Sequence, residues 1–192
     1  MQLLSTVAAF ALAAAALVTA QPAPTTTVPA TKDATIVQSS SSCPACPQSN
    51  CNKCTWGTGK TLSASLGANT RTRALIGFTL PYDGSLVKSC FLQMPGFDPK
   101  NSVGVTVQIN QAEHKDWTEA TVNGENAPAT WTQGTNVAVA AYNNLPAVDI
   151  SQICRSSQNR QFSIYISSPG TEFKFPSKES GNPAILHVTR YV

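Results

Sequence analysis

From Thr61 to Tyr191 the chain is a succession of short β-branched and aromatic runs, broken at close intervals by Gly, Pro, Asn and Asp. No part of it repeats apolar residues at the 3.6-residue spacing of an amphipathic helix. Thr61 to Leu66 alternates, and Arg73 to Leu80 is mostly apolar, as suits a strand buried on both faces. Ser89 to Met94 follows a Tyr-Asp-Gly turn, and Val103 to Ile109 precedes a long irregular corner. Val137 to Tyr142, Ala147 to Ile150, Phe162 to Ile166, Glu172 to Phe175 and Ile185 to Tyr191 complete the series, with Ala34 to Gln38 as its first member. Nine or ten short strands with a turn after each predict an all-β fold, an antiparallel β-sandwich of jelly-roll type. Only Ser151 to Arg155 invites a helical turn.

The first twenty residues hold an apolar run from Phe10 to Val18 and end in small residues before a Pro-rich stretch. That pattern reads as a secretory signal peptide cut after Ala20, too short to span a bilayer. Gln21 to Lys32 is rich in Pro and Thr, without apolar period, and is expected to be an unstructured leader. Removing 20 of 192 residues leaves 172, enough for one core, from Asp33 to Val192, in a soluble monomer. Thirteen Lys and Arg against ten Asp and Glu give a net charge of +3, without a basic cluster, so nucleic acid is not an expected partner.

Six cysteines behind a signal peptide imply an oxidising compartment and disulfides. Cys43, Cys46, Cys51 and Cys54 form C-x2-C-x4-C-x2-C within a turn-rich insertion; zinc would need four thiolates, which that compartment disfavours. The expectation is a nested pair, Cys43 with Cys54 and Cys46 with Cys51, making a rigid knob beside Trp56. Cys90 and Cys154 should bridge by exclusion.

The stretch Asp116 to Pro128, DWTEATVNGENAP, cannot be a regular helix or a central strand. With Asp33-Ala34-Thr35-Ile36, Arg73-Ala74-Leu75-Ile76-Gly77-Phe78-Thr79-Leu80 and Phe175-Pro176-Ser177-Lys178-Glu179 followed by Pro183 to Val188, it makes the chain from Asp33 onward resemble the DNRLRE domain family. That family overlaps a family of carbohydrate-binding modules. The resemblance implies a jelly-roll sandwich and polysaccharide binding, with Trp117 and Phe78 in the core. The chain departs from the pattern at Gly124, where the family usually carries a second tryptophan, so Trp131 is expected to fill core in its place.

Catalytic signatures are missing: there is no Gly-x-Ser-x-Gly, no His-Glu-x-x-His and no phosphate-binding glycine loop. His114, near Asp116 and Glu119, is the one acid/base candidate for a small lyase or hydrolase; His187 reads as a strand residue. Sugar binding needs exposed aromatic faces, and Trp56, Trp131, Tyr82 and Tyr142 lie in or beside loops. Arg71 and Arg73 are candidate contacts for an acidic polysaccharide, with an internal network as the competing role for them and for Glu179. Asp33 and Asp149 could contribute to a structural calcium site, although no acidic cluster in the sequence compels a metal, and no cofactor is implied. The expected function is a secreted, non-catalytic protein that binds extracellular or cell-wall polysaccharide. The competing one is an adhesive or effector-like protein that engages another protein through the cysteine knob.

Overall fold

A computed structural model describes residues 24–113 and 116–191. The expected signal peptide and His114 fall outside the described residues. The described residues form eleven strands: β1 (Thr25–Pro29), β2 (Lys32–Ser39), β3 (Thr61–Leu66), β4 (Thr70–Thr79), β5 (Val87–Gln93), β6 (Val105–Ala112), β7 (Thr130–Val139), β8 (Val148–Asp149), β9 (Gln161–Ser167), β10 (Phe173–Pro176) and β11 (Ile185–Arg190). One helical turn, α1 (Ser151–Arg155), lies where a helical turn was expected.

The strands form two antiparallel sheets, one ordered β1-β11-β5-β8 and one ordered β10-β3-β4-β9-β6-β7, with β2 paired along β4. Their facing sides build the main core. β11, β5 and β8 contribute Leu186, Val188, Val87, Leu92 and Val148; the larger sheet contributes Ile76, Phe78, Val107, Ile109, Ile164, Phe173 and Phe175. Alternate residues of each strand face this core because successive side chains of a strand point to opposite faces. Cys90 on β5 and Cys154 on α1 are fully buried in it and form the expected disulfide, which ties α1 to the smaller sheet.

The larger sheet has a second hydrophobic layer on its outer side. Ala34 and Ile36 of β2, Leu75 of β4, Tyr165 of β9 and Ala112 of β6 meet Trp117 and Val122 there. The corner from Asp116 to Pro128 therefore lies across the outside of this sheet rather than between the two sheets. It holds its shape by local bonds, as the carbonyl of Thr118 accepts from Val122 N–H and Asn123 Oδ1 accepts from Glu125 and Asn126 N–H. Such side-chain turns are what Asn supplies in place of regular structure. Gly124 is required by proximity: a Cβ on it would lie 2.2 Å from the carbonyl oxygen of Val37 on β2. Trp131 does not take the place of the second tryptophan, since it is 47% exposed in the irregular part of β7. Gly124 leaves no hole to fill, because the β2 backbone occupies that space.

Two further expectations are corrected. Thr25–Pro29, inside the stretch read as an unstructured leader, is an edge strand paired with β11, with Val28 buried and the Thr25 and Thr189 hydroxyls 3.1 Å apart. An edge position tolerates the composition that suggests disorder, since Pro29 closes the strand and one side of an edge strand needs no ladder partners. In the cysteine insertion the bridges join Cys43 to Cys51 and Cys46 to Cys54, with Cα separations of 4.9 and 5.1 Å, and are not nested. A nested pair needs a simple hairpin. Here Pro47–Ser49 and Cys51–Lys53 form two short 3-10 turns, and left-handed backbone at Gln48 and Ser49 offsets the two arms by a few residues.

Candidate functional site

The cysteine knob is fastened to the sheet by amides. Asn52 Oδ1 accepts the N–H of Ser39 at 2.7 Å while its Nδ2 donates to the Ser39 carbonyl, which fixes the knob to the end of β2. Asn50 Nδ2 donates to Glu125 Oε1 at 3.2 Å, which joins the knob to the corner. Two residues after Cys54, Trp56 stands 46% exposed, and Gly57 presses on the corner so closely that a Cβ there would meet the Glu119 carbonyl oxygen at 2.3 Å. The backbone on both sides of Trp56 is thus anchored, by a disulfide before it and by a backbone contact after it.

Trp56 borders a depression of about 250 Å³ lined by Thr35, Val37, Gly59, Thr61, Ser63 and Thr72. Most of these residues bear a hydroxyl. Beyond β2 a wider groove of about 570 Å³ is bordered by Gln38, Asn52, Asn69, Arg71 and Glu125, with half-exposed Leu66 at its side. Arg71 is exposed and makes no ion pair among the described residues, so its guanidinium is available to a ligand. An exposed aromatic side chain beside hydroxyls, and amides beside a free guanidinium, are the side-chain types that can stack on a sugar ring and hydrogen-bond its hydroxyls or carboxylate.

The remaining candidates do not join this region. Arg73 is only 5% exposed. Its guanidinium carbon lies 4.0 Å above the Tyr165 ring centroid, and its nitrogens donate to Thr130 Oγ1 and Gln38 Oε1. Burial lowers its pKa, and neighbouring Arg71 adds to the lowering. Arg73 is therefore part of the internal network that holds the corner, through Thr130 and through Tyr165, whose hydroxyl donates to the Pro128 carbonyl at 2.6 Å. Tyr82 packs against the main core with its hydroxyl buried. Tyr142 is 63% exposed on the loop after β7, and neither it nor Trp131 lines the two depressions beside β2. His187 Nε2 lies 2.7 Å from Gln93 Oε1 on the neighbouring strand, as a strand residue does.

Sequence reasoning did not assemble one cluster. Asp33 at the start of β2, Glu119 in the corner and Glu179 in the turn after β10 bring carboxylate oxygens within 4.8 Å of one another. Asp33 N–H donates to Glu119 Oε1 at 2.6 Å, and Asp33 Oδ2 accepts from Lys178 N–H at 2.8 Å. The Lys178 ammonium pairs with Glu119 at 3.0 Å and with Glu179. Burial, joined by the neighbouring Glu179 and Glu119 carboxylates, pushes the Asp33 carboxyl up to about 7 against the pull of the Lys178 N–H. Despite its own desolvation, Glu179 is held below the usual range by the Lys178 ammonium. Asp149 is not part of this group, for its Oδ1 accepts from the N–H and hydroxyl of Ser151 at the start of α1. The available signal was that each of the three acids sits in a different piece of the sequence resemblance.

An uncharacterized secreted protein of Arthroderma benhamiae is 42% identical to this chain over 160 residues, which cover 83% of this chain and 82% of the relative. The family model for carbohydrate-binding modules of family 96 matches residues 24–190, from the edge strand β1 to the end of β11 and through both sheets and the corner. The chain belongs to carbohydrate-binding module family 96.

Proposed function

We propose that this protein is a non-catalytic module that holds extracellular or cell-wall polysaccharide, with Trp56 as the stacking platform. The observation that carries the proposal is a half-exposed tryptophan on anchored backbone at the border of a depression lined largely by hydroxyl-bearing residues, on a member of a carbohydrate-binding family. Anchoring the backbone before binding matters because ordering a loop at an interface opposes association, and a disulfide-held segment has met that cost on folding. Arg71, on the far side of β2, is the group through which a uronic or sulfated polymer is preferred over a neutral one. Three disulfides and the similarity to a secreted protein agree with an extracellular place of action.

Retention on insoluble cell-wall polymers and a glycan array test this reading. Binding to at least one polymer, weakened by Trp56→Ala with folding intact, is the expected result. No retention on any polymer by folded protein contradicts it. Incubation with alginate, pectin and chitin should release no product; release would make the protein a lyase or hydrolase. Changing exposed knob residues, Pro44→Ser with Gln48→Ala, while both disulfides and Asn52 are kept separates glycan binding from association with a protein partner, because a partner docked on the knob is weakened while the anchored Trp56 still holds the glycan.

A further inference from the structure

We propose that Asp33, Glu119 and Glu179 form a binding site for a hard divalent cation of the calcium class, which joins the first long strand, the corner and the turn before the last strand. The proposal is independent of the polysaccharide reading. Three carboxylates share the Lys178 ammonium, and the Lys32 ammonium near Glu119 is matched by Asp116, so negative charge is in excess; the three carboxylates' oxygens are close enough, within 4.8 Å of one another, to share one ion. Calcium takes oxygens at about 2.3–2.6 Å, so two ligands on opposite sides of it stand just under 5 Å apart.

The second observation is an oxygen without a partner. Asp33 is only 2% exposed, and while its Oδ2 accepts the Lys178 N–H, its Oδ1 is buried and meets no donor among the described residues, the Glu179 carboxyl beside it being a partner only when one of the two holds a proton. Glu179 Oε2 is in the same position, buried and without a donor, while its Oε1 takes the Lys178 ammonium. Buried carboxylate oxygens are among the costliest groups to leave unsatisfied. The Lys178 ammonium is used on Glu119 Oε1 and Glu179 Oε1 and pairs with neither Asp33 Oδ1 nor Glu179 Oε2. A cation bridging Asp33 Oδ1 and Glu179 Oε2, with Glu119 beside them, satisfies both oxygens at once and balances the remaining charge.

Ligands drawn from β2, the corner and the β10 turn would make binding and folding one equilibrium, because the unfolded chain does not hold these groups together. The site also adjoins Trp117, whose carbonyl accepts from Lys32 Nζ at 2.8 Å and whose ring lies under the same ammonium. A lanthanide bound at Glu119 would thus sit near an indole able to sensitise it.

The test uses the whole secreted protein, stripped with chelator. Titration with terbium should give sensitised emission that saturates at one ion per chain and is displaced by calcium. Calcium at a hundredfold excess over its dissociation constant should raise Tm by roughly 5–10 °C, and this rise should vanish on adding chelator. Glu179→Gln and Asp33→Asn should each lose the terbium signal and the calcium response. Since Asp33→Asn can also impair folding, the wild-type titration stands by itself. No sensitised emission together with no shift of Tm in calcium, magnesium or manganese overturns the proposal, as does a calcium response unchanged in a folded Glu179→Gln variant. A stability that follows pH through neutrality and ignores calcium also overturns it, by giving the two oxygens a shared proton in place of the ion.

Discussion

Replacing Gly124 by alanine is the smallest change that tests how the corner sits on the sheet. The added methyl would fall 2.2 Å from the Val37 carbonyl oxygen and 3.1 Å from Asn52 Cα. Carbon and oxygen settle at about 3.3 Å or more in even the favourable contacts, so something must move by roughly 1 Å. β2 cannot yield easily, because Val37 is paired with Thr72 and its neighbour Ile36 is fully buried in the outer core. The corner must rise, straining the bond from Gln38 Nε2 to the Gly124 carbonyl and loosening the packing of Val122. Inserting a group into a filled space costs about 1–3 kcal/mol. For a domain of this size that lowers Tm by roughly 3–10 °C, measurable by calorimetry and by urea unfolding. Gly170→Ala is the control, since no heavy atom lies within 4 Å of its Cβ position and its backbone is not left-handed. It should be neutral or stabilising by a few tenths of a kcal/mol. Equal stability of the two variants would refute the close approach of corner and strand.

Further outcomes follow from the same geometry. Arg73→Ala should destabilise by about 2–3 kcal/mol through the loss of its buried hydrogen bonds and ring contact, whereas Arg71→Ala should change stability by less than about 0.5 kcal/mol; paired urea unfolding curves check both. On polysaccharide, Arg71→Ala should weaken retention on acidic polymers and spare neutral ones. Removing the buried bridge with Cys90→Ala and Cys154→Ala should cost about 4 kcal/mol in the chain-entropy picture for a closed loop of 64 residues. Peptide mapping without reductant should return Cys43 with Cys51 and Cys46 with Cys54; recovery of Cys43 with Cys54 would refute the crossed knob.

Fold class was legible because nearly every strand announces itself by its own composition. Thr61–Leu66 alternates and coincides with β3, while the apolar run in Arg73 to Leu80 marks a strand that is buried on both faces, as β4 is where the corner covers it. What composition hid were the edges. β1 is Thr- and Pro-rich and exists through its register with β11. The first half of β7 holds Gly134 and an irregular register near Trp131, features an edge strand tolerates and a central one does not. The corner was recognised as structured, yet its partner was not readable, because Gly124 looks like a missing tryptophan until the Val37 carbonyl is seen against it.

Candidate site residues were separable only by burial. Arg71 and Arg73 look alike as neighbours on one strand face, but Arg73 lies under Thr130 and over Tyr165 while Arg71 reaches open groove. Tyr82 and Trp56 both border turns, and only the latter has anchored backbone and an exposed ring. The acidic cluster could not be assembled from sequence because its members come from three distant segments, Asp33 bonding to residues 86 and 145 positions away.

The most direct test of the central claim is a calorimetric titration, with soluble fragments of the polymer that retains the protein, of wild type and of a folded Trp56→Ala variant. The account predicts at least a tenfold loss of affinity, equivalent to about 1.4 kcal/mol, with the thermal transition unchanged. Equal affinity of the two proteins would contradict it and move the binding surface away from the Trp56 depression.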